Sequence, residues 1–422
     1  MKKHLLVSIL SFISLGAAAQ VLTPKLDSLV SAYVAINKFN GTAVIVREGK
    51  VVYEKSYGYE NATAKTFNSK RSIFPIGSLT KSFTALIVLK LAAENKLSLD
   101  NPVSQYIPGY PRGNDIKIKH LLTNSSGVYE KFRNRQFAEQ LPSRRAFSRA
   151  ELLAFFEQEP LDFEPGTKFS YSNSGFDLLG VIIEKVTGRS YAEVVQAYIL
   201  TPLHMTHTGL GFADLQDPHK TRLYAYASPT KHVEVKPWNA SLTFSSGGLY
   251  SSAEDLLKFY QGLSSFQLVS PETFAQATTP FLGGYGYGWY IDHLQGERVI
   301  DHGGNIEGAT SYLLLMPEHR IGIILLNNIT STSLEKLGNS LYAAVRNKPY
   351  AIPHPKQAVP LPETTLTRYV GTFEVSPTYK AAFVLEAGKL VMKTTTGGKT
   401  TLLAEKGCSQ KKKGCFLPRT RT

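Results

Sequence analysis

The stretch Phe74-Pro75-Ile76-Gly77-Ser78-Leu79-Thr80-Lys81 runs straight into a nearly continuous apolar segment, Phe83 to Ala93. An apolar run of that length after a polar start reads as a buried helix opening near Ser78. Positions three apart share a helix face, so the Lys81 amine lies beside the Ser78 hydroxyl. A serine hydroxyl is a poor nucleophile until a neighbouring base takes its proton. A lysine is that base only where its surroundings favour the neutral amine, and an apolar helix does so by desolvation. The helix N-terminus also brings backbone N–H groups near the serine, suited to a developing oxyanion. Alone, Ser-x-x-Lys is equally the pattern of a plain N-cap followed by an exposed lysine.

Upstream, Gly41 to Val46 and Val51 to Ser56 are β-rich runs joined by Arg47-Glu48-Gly49-Lys50, which reads as a hairpin. From about residue 100 to 240 the chain holds amphipathic segments such as Arg149 to Glu157 and Phe176 to Thr187, and this block reads as mainly helical. Strand signals return at Tyr285 to Ile291, Ser311 to Met316 and Ile321 to Leu326, and Ser333 to Arg346 reads as a closing helix. Strands at both ends with helices between them predict an α+β fold, an antiparallel sheet flanked by helices with a mainly helical insertion domain. Pro353, Pro355, Pro360 and Pro362 mark a stiff linker, residues 351–366. Residues 367–405 read as a short C-terminal β module.

Two further elements carry chemistry. Phe169-Ser170-Tyr171-Ser172-Asn173-Ser174-Gly175 is a polar turn before an apolar helix. A tyrosine and an amide two residues apart on a loop can both face a cleft, the tyrosine relaying a proton and the asparagine holding a carbonyl. Asp301-His302-Gly303-Gly304-Asn305 reads as an interruption of strand-like sequence, with glycines that let a ligand approach the backbone. Tyr171 follows Ser78 by 93 residues and His302 follows Tyr171 by 131.

In this order the three elements resemble the serine β-lactamase and penicillin-binding-protein superfamily, in its class C β-lactamase, D-alanyl-D-alanine carboxypeptidase and esterase branch. The resemblance runs from about residue 22 to 350 and includes His120 to Gly127, Glu164-Pro165-Gly166, Ser246-Gly247-Gly248-Leu249 and Tyr285-Gly286-Tyr287-Gly288-Trp289. It implies that Ser78 is acylated and that Lys81 and Tyr171 share the proton work. It implies that Asn173 binds the acyl side, and that the N–H groups of Ser78 and Asn305 form an oxyanion hole. His302-Gly303-Gly304 stands where many relatives have Lys-Thr-Gly. A histidine is mostly neutral near pH 7, which shifts weight toward ester or amide substrates with less need for a carboxylate, D-amino-acid peptides and β-lactams staying within the expected range. The alternatives are a D-alanyl-D-alanine carboxypeptidase and a non-catalytic ligand-binding module on the same fold. Tyr369-Val370-Gly371-Thr372-Phe373 resembles the start of a small β domain found on some relatives.

Composition agrees with a globular chain of 422 residues, 43% hydrophobic and 19% charged. The N-terminus, with Lys2 and Lys3, an apolar Leu5 to Leu15 and small residues to Ala19, reads as a signal peptide over residues 1–19, so an exported protein, periplasmic or extracellular, is expected. The catalytic region then spans 20–350. The formal charge of +14 owes much to residues 406–422, read as a solvated basic tail, and no nucleic-acid partner follows from it. Cys408 and Cys415 lie in this tail, paired or free. His204 and His207 have metal-like spacing with no acidic or Cys partner nearby, so no metal and no cofactor are assigned. A small molecule or peptide is the expected partner, with no integral membrane segment in the mature chain.

Overall fold

The computed structural model describes residues 22–405, except 229–230, 331–332, 356–357, 377–378 and 396–397, together with the strand Phe416–Arg419. The predicted N-terminal signal, most of the basic tail, and both cysteines lie outside the described residues.

The centre is a six-stranded sheet built from both ends of the catalytic region. Its strands are β1 (Gly41–Arg47), β2 (Lys50–Ser56), β3 (Tyr290–Leu294), β4 (Glu297–Ile306), β5 (Ala309–Met316) and β6 (Ile321–Asn327), in the order β3-β4-β5-β6-β1-β2. All neighbours are antiparallel, and pairs such as Ile45 with Ile323 and Leu313 with Ile324 fix the register. β1, β5 and β6 are mainly apolar and buried on both faces because both faces are covered. On one face Ala43, Ile45, Ile323 and Leu325 pack against α1 (residues 22–35) and α5 (Glu335–Val345) through Leu26, Leu29, Leu337 and Leu341. On the other, Val44, Val46, Leu313 and Ile324 meet α2 (Thr80–Ala93) and α4 (Ala253–Ser264) through Phe83, Leu86 and Phe259. The α+β, β-lactamase-like expectation is met.

α2 is buried on nearly every side, from Thr80 through Leu89, as a helix apolar all round must be. α3 (Asn173–Thr187) opens where the Ser172 Oγ accepts the Gly175 N–H at 3.1 Å. α3 packs on α2 and on the helical segment Ala240–Gly247, which places the Tyr171 turn over the start of α2. Among the described residues no helix is long and apolar enough to cross a membrane.

Three sequence expectations need adjusting. Asp301 to Asn305 does not break a strand but lies inside β4, paired residue by residue with β5. Gly304 marks close packing of two backbones rather than a bend, while Gly303 meets only ordinary contacts. The middle block also contains a hairpin, Leu223–Ser228 with Lys231–Val235. Finally, the C-terminal sheet draws in two segments from outside residues 367–405. Ala358–Val359 from the Pro-rich stretch and Phe416–Arg419 from the basic tail both pair with Lys399–Glu405.

Candidate active site

Ser78 sits in a single 3-10 turn, Gly77–Leu79, directly before α2. Gly77 has φ of 51°, and a Cβ there would meet the Asn305 backbone nitrogen at 3.0 Å, so glycine is required twice over. The turn is tied down on both sides. The Ile76 N–H donates to Leu249 O at 2.9 Å, and Ile76 O accepts from Ser311 Oγ of β5 at 2.7 Å. β4 then passes so closely that a Cβ on Gly304 would lie 1.8 Å from Ile76 O. This contact brings the Asn305 N–H beside the Ser78 turn, the arrangement expected of two oxyanion donors.

Lys81 is fully buried. Its Nζ lies 2.7 Å from Asn173 Oδ1, 2.7 Å from Ser246 O and 3.1 Å from Ser78 Oγ. Burial pulls its pKa down to about 7, against an opposing pull from the Glu130 and Asp177 carboxylates. A neutral amine has two hydrogens and one lone pair. The two carbonyl oxygens only accept, so they take the hydrogens and leave the lone pair facing Ser78 Oγ. Tyr171 closes the other side, its ring 4.7 Å from the Lys81 ammonium position and its hydroxyl hydrogen-bonded to Ser78. Burial pushes the Tyr171 pKa upward, so it remains a phenol.

Asn173 is the first residue of α3. Its Oδ1 accepts from Lys81 and its Nδ2 donates to Glu130 Oε1 at 3.2 Å, while its backbone N–H donates to Glu130 Oε2 at 2.5 Å. Asn173 therefore orients the lysine in addition to any contact with an acyl group. Glu130 is absent from the sequence reading, since it belongs to none of the three elements and meets Asn173 only through the fold.

His302 is buried among three tyrosines. Its Nε2 lies 3.0 Å from the Tyr285 hydroxyl and its Nδ1 2.7 Å from Gly303 O. A carbonyl accepts, so Nδ1 carries the hydrogen and Nε2 accepts from Tyr285. Burial, with Lys81 as a lesser cause, lowers its pKa to about 3, so the ring is neutral. The Tyr290 ring stands 5.5 Å from it and stacks over Tyr171 at 6.4 Å.

Ser78, Tyr171, His302, Gly303, Gly304 and Asn305 line one open cavity of about 610 Å³. Lys81 and Asn173 stand behind Ser78, so the fold gathers all eight residues singled out by sequence. His204 and His207 do not line it. The far wall holds Asp292, Asp301 and Glu335, and no Lys or Arg lines the cavity among the described residues. Burial, with Glu335 adding repulsion, raises the Asp301 pKa to about 7. On the opposite side of Ser78 a smaller recess of about 80 Å³ is lined by Phe132, Trp238 and Thr243, with Asn173 between.

Ser78 at a helix start, the buried Lys81, Tyr171 and the paired strand β4 stand together on a β-lactamase-like scaffold. Residues 26–346 match the family described as Beta-lactamase, and the chain belongs to that family. Protein flp of Staphylococcus aureus (strain COL) is 29% identical over 341 residues, 76% of this chain. The chain spans 66% of that relative's length. Among solved structures, the octameric penicillin-binding protein homologue from Pyrococcus abyssi superposes with a TM-score of 0.70 at 27% identity, covering 92% of this chain and 94% of the other. A D-stereospecific amidohydrolase from Streptomyces sp. gives a TM-score of 0.60 at 26% identity, covering 68% and 88%.

Proposed function

We propose that this protein is an exported serine hydrolase that acylates Ser78 and hydrolyses the acyl-enzyme, acting on esters or amides that carry no carboxylate beside the scissile bond. The observation that carries the reading is the Lys81 geometry: two carbonyl acceptors fix its hydrogens, and its remaining lone pair meets the Ser78 hydroxyl. Lys81 takes the Ser78 proton as Oγ attacks the carbonyl. The developing oxyanion lies toward the Ser78 and Asn305 N–H groups. Tyr171 passes the proton to the leaving group. Water then enters, loses its proton by the same route, and frees Ser78.

The substrate class follows from charge. Where a fixed cation would receive a carboxylate, the cavity offers neutral His302, with Asp292, Asp301 and Glu335 beyond it. The negative charge there, to which Asp301 with its pKa near 7 contributes only in part at neutral pH, repels an anionic substrate. This disfavours a D-alanyl-D-alanine carboxypeptidase, whose substrate ends in a carboxylate. The similarity to a D-stereospecific amidohydrolase supports amides as well as esters. The intact, ordered set of Ser78, Lys81 and Tyr171 argues against a binding module without turnover. Export rests on the basic-apolar-small pattern of residues 1–19.

The test compares hydrolysis of p-nitrophenyl butyrate with that of p-nitrophenyl hemisuccinate and a D-alanyl-D-alanine peptide, by wild type and Ser78→Ala. The neutral ester should be preferred by roughly tenfold or more in kcat/KM, and Ser78→Ala should be inactive on all. Preference for the carboxylate-bearing substrates, or activity surviving Ser78→Ala, would overturn the reading.

A further inference from the structure

Glu130 is the charged group that the proton-transfer scheme above leaves unused, although it touches the site. It caps a short 3-10 turn, Lys131–Arg133, by accepting the Phe132 N–H at 3.1 Å on Oε1. The same carboxylate accepts both the backbone N–H and the side-chain Nδ2 of Asn173, across 43 residues of sequence. Three N–H donors thus converge on one acceptor-only group at the N-terminus of α3, where an anion is favoured by the helix dipole.

We propose that Glu130 is a positioning residue for the acylation step, holding the Asn173 amide in the one orientation that presents Oδ1 to Lys81. The alternative orientation turns Asn173 Oδ1 onto the Glu130 carboxylate and its NH2 onto the lysine amine. The first contact sets two acceptors against each other. The second makes the Lys81 lone pair accept from Asn173, and Ser78 loses its base. A carboxylate at 130 forbids that flip, because it cannot donate. An amide at 130 permits it, because it can turn either end toward Asn173.

Charge gives the proposal a second, separable readout. The groups acting on Lys81 are Glu130 and Asp177, which favour its charged form, and Lys131, which opposes it. Asp177 and Lys131 are fully buried and paired with each other. Removing Glu130 as an anion therefore moves the Lys81 titration to lower pH.

The inference rests on Ser78 being the nucleophile, so the experiment carries Ser78→Ala alongside. The pH dependence of kcat/KM on p-nitrophenyl butyrate is measured for wild type, Glu130→Gln, Glu130→Asp and Ser172→Ala. Ser172→Ala removes the other cap of α3 without touching the Asn173 amide. Glu130→Gln should lose roughly tenfold or more in kcat/KM, and its acid limb should shift down by roughly one pH unit. Glu130→Asp should keep the wild-type limb. Ser172→Ala should lower stability without moving the limb. An unmoved limb in Glu130→Gln, or the same shift in Ser172→Ala, overturns the positioning role while leaving the hydrolase reading intact. Activity persisting in Ser78→Ala overturns the hydrolase reading and this inference with it.

Discussion

Gly303 and Gly304 are adjacent and alike in sequence, yet replacing them with alanine should have opposite outcomes. A Cβ on Gly303 meets nothing closer than 3.6 Å, an ordinary contact. A Cβ on Gly304 would lie 1.8 Å from Ile76 O and 2.5 Å from Ser311 Oγ. Serine Oγ can rotate away, but the Ile76 carbonyl is backbone and is fixed by that same hydroxyl. Opening the gap from 1.8 Å to an ordinary 3.4 Å moves β4 from the Ser78 turn by about 1.6 Å. Asn305 is the next residue and moves with it. A displacement of about 1 Å in a catalytic constellation costs roughly 100-fold, or about 2.7 kcal/mol. Gly304→Ala should therefore lose at least that much in kcat/KM, with a stability loss of roughly 1–3 kcal/mol from overpacking. Gly303→Ala should stay within about threefold of wild type, within the usual tolerance of a substitution that meets only ordinary contacts. The assay is initial rates on a neutral p-nitrophenyl ester with thermal unfolding of each variant. Gly304→Ala at wild-type activity, or equal losses in both variants, would refute the claim that close β4–turn packing builds the site.

Three other outcomes follow from the same geometry. Lys81 acts as a base only when neutral, and its pKa is lowered to about 7, so kcat/KM should fall with decreasing pH below about 7 and level off above it; Lys81→Ala should lose roughly 10²–10⁴-fold and the limb with it. The His302 pKa is lowered to about 3, so its ring-nitrogen NMR shifts should stay those of the neutral Nδ1–H tautomer from pH 5 to 8, and a protonation step in that range would contradict the assignment. Asp301 titrates near 7 as well, so Asp301→Asn separates the two groups: the activity limb should remain. The Asp301 pKa is raised by folding, so its favourable contribution is full below pH 3.8 and is lost as pH rises toward 7. Unfolding of Asp301→Asn should accordingly show a gain over wild type at pH 8 relative to pH 5, at most about 3 kcal/mol.

What the sequence revealed was what local rules govern. The Ser78–Lys81 pair is legible because three residues along a helix always share a face, and the apolar run after it can only be a buried helix. The inner strands β1, β5 and β6 are legible from runs rich in Val, Ile and Leu. β4 was hidden because Gly303 and Gly304 look like a break by propensity. Only the packing of β4 on Ile76 shows why a strand would carry glycine there. Glu130 was hidden for a different reason: its role depends on Asn173, 43 residues away, and nothing in the local sequence around it signals a site. The wall formed by Asp292, Asp301 and Glu335 likewise exists only once β3, β4 and α5 are brought together. The C-terminal sheet shows the same limit, since Ala358–Val359 and Phe416–Arg419 find their partner only across the chain.

The central claim is that Ser78, deprotonated by Lys81, becomes covalently acylated. Intact-mass spectrometry of acid-quenched protein during turnover of p-nitrophenyl butyrate tests it directly. A mass gain of one acyl group, mapped to the peptide containing Ser78 and absent from Ser78→Ala, is the predicted result. Turnover with no adduct, or an adduct on a residue other than Ser78, would contradict it.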